Sequence, residues 1–288
     1  MSDADGKRKN ILIQLLDKRP DIKLLNLSVS KAKTFKDCAK KFKFTYIDKF
    51  PRKEWDFHVF GKYCHMVLEL FHAELIKDSN LEYVNLFSEC QDKALETWGA
   101  KLTAEQKQLA YDVLQNYLHN WLDKAQIGLP EVIAVEKEFF LLIDDKVLLN
   151  GFIDRLQRDI DGMYHVADYK TSKEKKYLKN DAFQLLTYAL VATLLYPGID
   201  KVRGSYIMLK HNSDAIEKEF SLKEIDKVKD VFLKYAEDIE NEKLYRANAG
   251  FLCKTCDHLE ICQEGSSFKG YKKKEVITGP KKFGETDW

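Results

Sequence analysis

Asp154, Asp168 and Lys170 are the residues whose types and spacing carry chemistry most directly. They fall within Gly151 to Thr171, which reads as a β-hairpin. Val147 to Leu156 is rich in β-branched and large apolar residues, Asp159 to Gly162 supplies turn chemistry, and Met163 to Lys170 alternates as a second strand. Alternation along that second arm puts Asp168 and Lys170 on one face, about 6.6 Å apart. Asp154 ends the apolar run Gly151-Phe152-Ile153, where a carboxylate is costly to bury unless it is paired or holds a metal. Carboxylates from the two arms can share a divalent cation, which takes hard oxygen ligands, while a lysine beside them stabilises charge on a phosphate. The chemistry this set suits is metal-dependent hydrolysis of a phosphodiester. The alternative, for an isolated D-x-K triplet, is a hairpin with charges on its solvent face.

A second set is built from sulfur. Cys253-Lys254-Thr255-Cys256 followed by Cys262 supplies three thiolates in one loop, and Cys38 is the candidate for a fourth. Six cysteines in an intracellular chain point to metal before disulfides. Spacing alone admits a zinc ion or an iron–sulfur cluster. His258 lies inside the loop, but four cysteines complete the set; Cys64 and Cys90 fall on helical patterns as small apolar residues. Fastening Cys38 to a segment more than 200 positions away would constrain the unfolded chain, so a group held there would be structural, and folding would depend on it.

The elements that must position these residues follow from periodicity. Ile11, Leu12, Leu15 and Leu16 predict a short N-terminal amphipathic helix; Leu27 to Ser30 leads to a helix cap, and an aromatic and lysine-rich segment runs on to Ile47. Helices are expected over Phe57 to Lys77, with His65 and Glu69 on one face, then Leu81 to Trp98 and Thr103 to Lys124. Gly128-Leu129-Pro130 closes this helical part. Val132 to Leu142 reads as a strand carrying Glu136 and Glu138; after the hairpin come a helix from Asn180 to Tyr196, a strand from Val202 to Lys210 and a helix from Ser221 to Leu244. The resulting segmentation is an extension over 1–26, a cluster-ligand segment with a helical subdomain over 27–130, a core sheet with its crossover helix over 131–220, a helix and cysteine loop over 221–265, and a tail over 266–288.

At these residues the sequence resembles the PD-(D/E)XK nuclease superfamily, in particular its RecB-like exonuclease branch. The G-x-x-D motif matches Gly151 to Asp154, (D/E)-x-K matches Asp168 to Lys170, Q-x-x-x-Y matches Gln184 to Tyr188, and an upstream helical G-x-x-x-H matches Gly61 to His65. The cysteine pattern is similar to that of the CRISPR-associated RecB-like exonucleases and AddB-type nuclease domains. The resemblance implies an α/β fold with a restriction-endonuclease-like core, a mixed sheet flanked by helices, together with a helical subdomain and an iron–sulfur region. It implies Mg²⁺ or Mn²⁺ held by His65, Asp154, Asp168 and the carbonyl of Tyr169, with Lys170, Gln184 and Tyr188 completing the catalytic set and Glu138 an outer candidate. It also implies a 4Fe-4S cluster on Cys38, Cys253, Cys256 and Cys262, zinc being the alternative.

The expected activity is therefore a DNA exonuclease acting on single-stranded ends in recombination, repair or spacer processing. Alternatives are a DNA-binding or scaffolding subunit with a vestigial nuclease fold, the nuclease subunit of a helicase-nuclease complex, or a zinc-stapled structural protein. DNA is the expected partner, with a helicase or integrase-type protein beside it; no Walker-type motif occurs, so a helicase would be a separate chain. The 288 residues are 45% hydrophobic, enough for a substantial core, and no apolar run is long enough to cross a bilayer, so a cytoplasmic location is expected, in a host cell if the protein is viral. With 47 basic against 46 acidic residues, net charge does not announce nucleic acid; only seven of the basic residues are Arg and the rest are Lys, which binds phosphate as a point charge and reads bases poorly, so weak sequence preference is expected. Lysines at Lys40 to Lys43 and Lys173 to Lys176 are expected to line a passage that admits one strand with a free end.

Overall fold

The sheet is built on β3 (Val147–Arg158), the hairpin's first arm. Along one edge β3 pairs antiparallel with β2 (Glu131–Ile143), from Ile143↔Val147 at one end to Glu131↔Arg158 at the other. Two strands share its other edge. β1 (Leu25–Leu27) runs parallel beside Val147–Leu149, and β4 (Tyr164–Lys170) runs antiparallel beside Arg155–Arg158. Between them residues 150–154 of β3 have no ladder partner on that edge, and Asp154 is the last residue of the gap. β4 then pairs parallel with β5 (Lys201–Met208), and β5 antiparallel with β6 (Asp214–Ser221), completing a mixed, six-stranded sheet. This is a computed structural model, and it describes residues 24–79, 81–172, 175, 178–179 and 181–268. The helix expected around Ile11 to Leu16, the tail beyond 268, Lys173 and Lys176 lie outside the described residues.

The helices cover both faces. α1 (Val29–Asp37) starts after Ser28, whose hydroxyl accepts from the Lys31 N–H at 3.2 Å. α2 (Asp56–Lys77), α3 (Tyr83–Trp98) and α4 (Ala104–Ala125) pack together over one face; α4 opens with a capping box between Thr103 and Gln106. Their shared core joins Phe60, Val67 and Phe71 of α2, Phe87 of α3 and Trp121 of α4 to Ala167 and Tyr169 of β4. Successive strand residues face opposite ways, so Asp168 and Lys170 turn to the other face. There α5 (Phe183–Leu195) lies between the sheet and α6 (Leu222–Asn241), which is why α5 is apolar almost all round. A Cβ on Gly204 of β5 would come within 2.7 Å of the Phe220 ring and 3.1 Å of the Leu185 Cβ, so only glycine lets α5 settle that close.

All these elements beyond residue 53 belong to one compact unit, Met1–Lys33 with Glu54–Lys243; the second is Thr34–Lys53 with Leu244–Trp288. In the second unit a helical turn at Ala39–Phe42 widens into a π-helix at Lys43–Ile47, and short helical turns at Phe251–Thr255, Leu259–Ile261 and Gln263–Ser266 carry the cysteine loop. Buried His258 joins the two segments through a 2.9 Å hydrogen bond between its Nε2 and Thr45 Oγ1, and Lys40 pairs with Glu264 at 2.7 Å. Among the described residues no helix is long and apolar enough to cross a membrane.

Mixed sheet and flanking helices agree with the expected fold class. β1 and β6 were not anticipated. The first is three residues long, and the second is an edge strand whose charged, exposed side chains hide its pattern.

Candidate active site

The gap in the sheet is where the chemistry-bearing residues meet. Asp154 Oδ2 accepts the Tyr169 N–H at 2.8 Å, at the level where β3 and β4 no longer pair through their backbones. His65 Nε2 donates to the Tyr169 carbonyl at 2.9 Å, which leaves Nδ1 turned to the acids, 3.4 Å from Asp154 Oδ2 and 3.9 Å from Glu136 Oε1. His65 reaches this point because α2 runs close to the end of β4: a Cβ on Gly61, one turn earlier, would stand 3.3 Å from Thr171 Oγ1. Both motif residues of that helix are thus explained by a single approach.

Donor atoms of His65, Glu136 and Asp154 lie within 4.8 Å of one another, and this is the one group of three or more such ligands that does so among the described residues. Glu136 was missed by sequence reasoning, which marked Glu138 instead; Glu138 stands opposite Phe152 and is not in the group. Glu136 has φ of +41°, a left-handed conformation that a side chain in a strand rarely adopts. It interrupts the β2–β3 ladder at the level of Asp154, between the pairs Val135↔Arg155 and Lys137↔Ile153. Strain of this kind gathers at functional sites. An acidic residue at a ladder break beside a motif aspartate is a signal, but the break is tertiary.

Asp168 is 1% exposed, and its Oδ2 forms an ion pair with Lys170 Nζ at 2.6 Å. Lys170 also donates to Gln184 Oε1 at 3.0 Å, and Gln184 Nε2 donates to the Tyr188 hydroxyl at 2.8 Å. The Q-x-x-x-Y residues therefore form a relay that holds the lysine, with Tyr188 touching Gln184 rather than Lys170. Asp168 stands outside the tight trio, the Tyr169 carbonyl is engaged by His65, and the two sets meet on either side of the Asp154–Tyr169 hydrogen bond.

The electrostatics suit a cation. Burial, and then the charge of Asp168, push the Asp154 carboxyl well above the ordinary carboxylate range, against the opposing pull of His65. Burial would lower the His65 pKa, but the Glu136 hydrogen bond and the charges of Asp154 and Asp168 outweigh it and lift it to about 9. Burial, with Asp168 and Asp154 behind it, holds the Tyr188 phenol far above its usual range, so it stays neutral. A cluster that retains protons among crowded carboxylates exchanges them for a divalent ion on binding.

The sulfur set occupies the second unit. Cys38, Cys253, Cys256 and Cys262 are free of disulfides and line one cavity of about 100 Å³. Backbone N–H groups of Lys41 and Asn248 point at Cys38 Sγ, that of Gly250 at Cys253 Sγ, and that of Gly265 at Cys262 Sγ, each at 3.4 Å. Donors aimed at sulfur suit thiolate ligands. A Cβ on Gly265 would fall 3.3 Å from Cys262 Sγ and 3.5 Å from Cys253 Sγ, so the cradle is closed by a glycine. Cys64 and Cys90 are buried in the helical core, as their pattern implied.

Comparisons with known proteins place the chain in a family. Residues 26–263 match the family model of the PD-(D/E)XK nuclease superfamily. The chain is 41% identical over 61 residues to a subunit of the ATP-dependent helicase/deoxyribonuclease of Streptococcus agalactiae, covering 20% of this chain and 6% of that protein. It is 30% identical over 126 residues to the subunit of the same name from Streptococcus mutans, covering 40% and 12%. The chain thus spans a small part of the length of these relatives. The structure of a presumed exonuclease from Eubacterium rectale is similar with a TM-score of 0.47 at 11% identity, over 88% of this chain and 91% of that one.

Proposed function

Because the chain belongs to the PD-(D/E)XK nuclease superfamily, we propose that it is a metal-dependent deoxyribonuclease that degrades single-stranded DNA from an end. The observation that carries the reading is the gap in the sheet, where His65, Glu136 and Asp154 converge beside the Asp168–Lys170 pair. His65, Glu136, Asp154 and Asp168 would hold Mg²⁺ or Mn²⁺, the Tyr169 carbonyl being within the same cluster. A divalent ion there supplies Lewis-acid polarisation of the phosphate and of the attacking water. Lys170, fixed by Gln184, brings a positive charge to the phosphate where negative charge develops. Tyr188, kept neutral by burial, locks the Gln184 amide so that its oxygen faces the lysine.

DNA as substrate is supported by the names of the streptococcal relatives, and those names also make a helicase chain the natural partner. A vestigial site is the weaker reading, since every motif residue is retained with an aligned partner. A 4Fe-4S cluster on Cys38, Cys253, Cys256 and Cys262 is part of the proposal, as a staple within the second unit. The reading rests on the cysteine spacing and on the backbone N–H groups aimed at Cys38, Cys253 and Cys262.

The activity is tested with end-labelled linear and covalently closed single-stranded DNA in Mg²⁺ or Mn²⁺, with Asp168→Ala as control. Degradation of the linear form alone is expected, weakening as salt is raised. Rapid cutting of the closed circle, or full activity in the control, overturns the reading. Purification without oxygen tests the cluster: a brown protein with bound iron is expected, and a colourless, zinc-loaded one refutes it.

A further inference from the structure

Arg155 follows Asp154 directly and is 3% exposed, yet among the described residues it makes no ion pair. Its NH1 donates to the Tyr117 hydroxyl and to His72 Nε2, which is 3.0 Å away, and burial, then the Arg155 charge, keep His72 neutral. The guanidinium lies over the rings of Trp121 and Tyr169, 5.4 and 5.5 Å from their centroids. Among the described residues, Arg155 Nε, His72 Nδ1 and Trp121 Nε1 are buried without a hydrogen-bond partner. A buried cation lacking a carboxylate is unfavourable, and an apolar residue of similar size would serve stability as well or better. Such an arrangement is retained where it is used.

Its use follows from what it touches. The β3–β4 ladder ends at Arg155↔Ala167, one residue short of Asp154 and Asp168, so backbone pairing does not set the strand separation at the site. On the face opposite the acids, Arg155 of β3 stacks on Tyr169 of β4, and Tyr117 bridges them, its hydroxyl 3.2 Å from that of Tyr169. The backbone of Tyr169 is the element that holds Asp154 through its N–H and His65 through its carbonyl. We infer that Arg155, acting with Tyr117, is a positioning residue that clamps β3 to β4 beyond their ladder and so sets the spacing of Asp154 and Asp168 around the cation. This rests on the reading of the acidic cluster as a divalent-metal site.

The test is calorimetric titration of the full-length protein with Mn²⁺, with Asp154→Asn identifying the heat that belongs to this site. Arg155→Met removes the charge and keeps the bulk. Its Mn²⁺ affinity should fall about 10- to 100-fold, the range for residues that orient ligands, while its unfolding midpoint in EDTA stays unchanged or rises. Tyr117→Phe keeps the ring and cuts the bridge, so affinity should fall in the same direction; it carries the test if Arg155→Met does not fold. Wild-type affinity in either folded variant overturns the clamp, as does lost stability in EDTA with affinity intact. Absence of any Mn²⁺ heat sensitive to Asp154→Asn would instead remove the metal reading, and the clamp with it.

Discussion

Lys170→Met separates the lysine's charge from its packing. The ammonium is 2.6 Å from Asp168 Oδ2, and the side chain also lies over the Tyr206 ring at 5.3 Å; methionine keeps the stem there and deletes the charge. Asp168, 1% exposed, is then left as a buried carboxylate near Asp154 without its paired lysine, His65 being the remaining counter-charge. Breaking a buried pair costs about 3–5 kcal/mol, and because the lysine side chain keeps 25% of its exposure the low end, about 3 kcal/mol, applies. For a unit of this size each kcal/mol moves the melting temperature by about 2–4 °C, so a fall of about 6–12 °C is expected in EDTA. A divalent cation restores the missing charge, so the deficit should shrink in Mn²⁺, and Mn²⁺ should bind as tightly as before or more tightly because a competing cation is gone. Cleavage should still drop by about 10²–10³-fold, the loss typical of one transition-state donor. Thermal melts with and without Mn²⁺, calorimetry and a single-turnover nuclease assay measure all three. An unchanged melting temperature in EDTA, or weakened Mn²⁺ binding with turnover preserved, would refute the reasoning.

Three other outcomes are expected. Glu136→Gln should raise the metal concentration needed for half-maximal cleavage about 10-fold and recover most of its rate at saturating metal, whereas Glu138→Gln leaves the metal dependence unchanged; metal titrations of cleavage rate decide it. Replacing Cys38, Cys253, Cys256 or Cys262 by Ser should strip bound iron and lower thermal stability, while Cys64→Ser and Cys90→Ser keep the iron, as metal analysis and melts of each purified variant would show. Burial would raise the Asp159 pKa, but hydrogen bonds from His165, Gln157 and Arg203 hold it well below the usual range. That stabilisation is present above the unfolded carboxylate value near pH 4 and is lost as pH falls below it. Asp159→Asn should therefore cost about 1–3 kcal/mol at pH 7 and progressively less below about pH 4, measured by urea unfolding.

Much of the candidate site was legible because each motif binds a residue type to a local spacing. Asp168 and Lys170 share a strand face whatever the rest of the sheet does, Gln184 and Tyr188 share a helix face, and both pairs meet as their spacing demanded. The long helices were equally plain, since α2, α3 and α4 each carry one apolar stripe. Of the four cysteines that share a cavity, Cys253, Cys256 and Cys262 were named from their spacing, and Cys38 joined them as the candidate that the family resemblance supports.

What the amino-acid order left undecided depends on pairing between distant segments. Glu136 and Glu138 are alike in sequence; only the left-handed backbone at Glu136, opposite Asp154, places the first beside Asp154 and His65 and leaves the second opposite Phe152. Arg155 carries no local signal that sets it apart, and it is buried because helices close over that face. The sequence by itself determined the motif side chains and the local face each one takes, since both follow from residue type and backbone period. Tertiary structure decided that β1 and β4 share one edge of β3 and leave residues 150–154 unpaired between them. That gap is bounded at one end by the β1–β3 pairing, between segments more than a hundred residues apart whose register no local pattern encodes, and at the other by the end of the β3–β4 hairpin ladder; Glu136 meets Asp154 from the opposite edge, across β2.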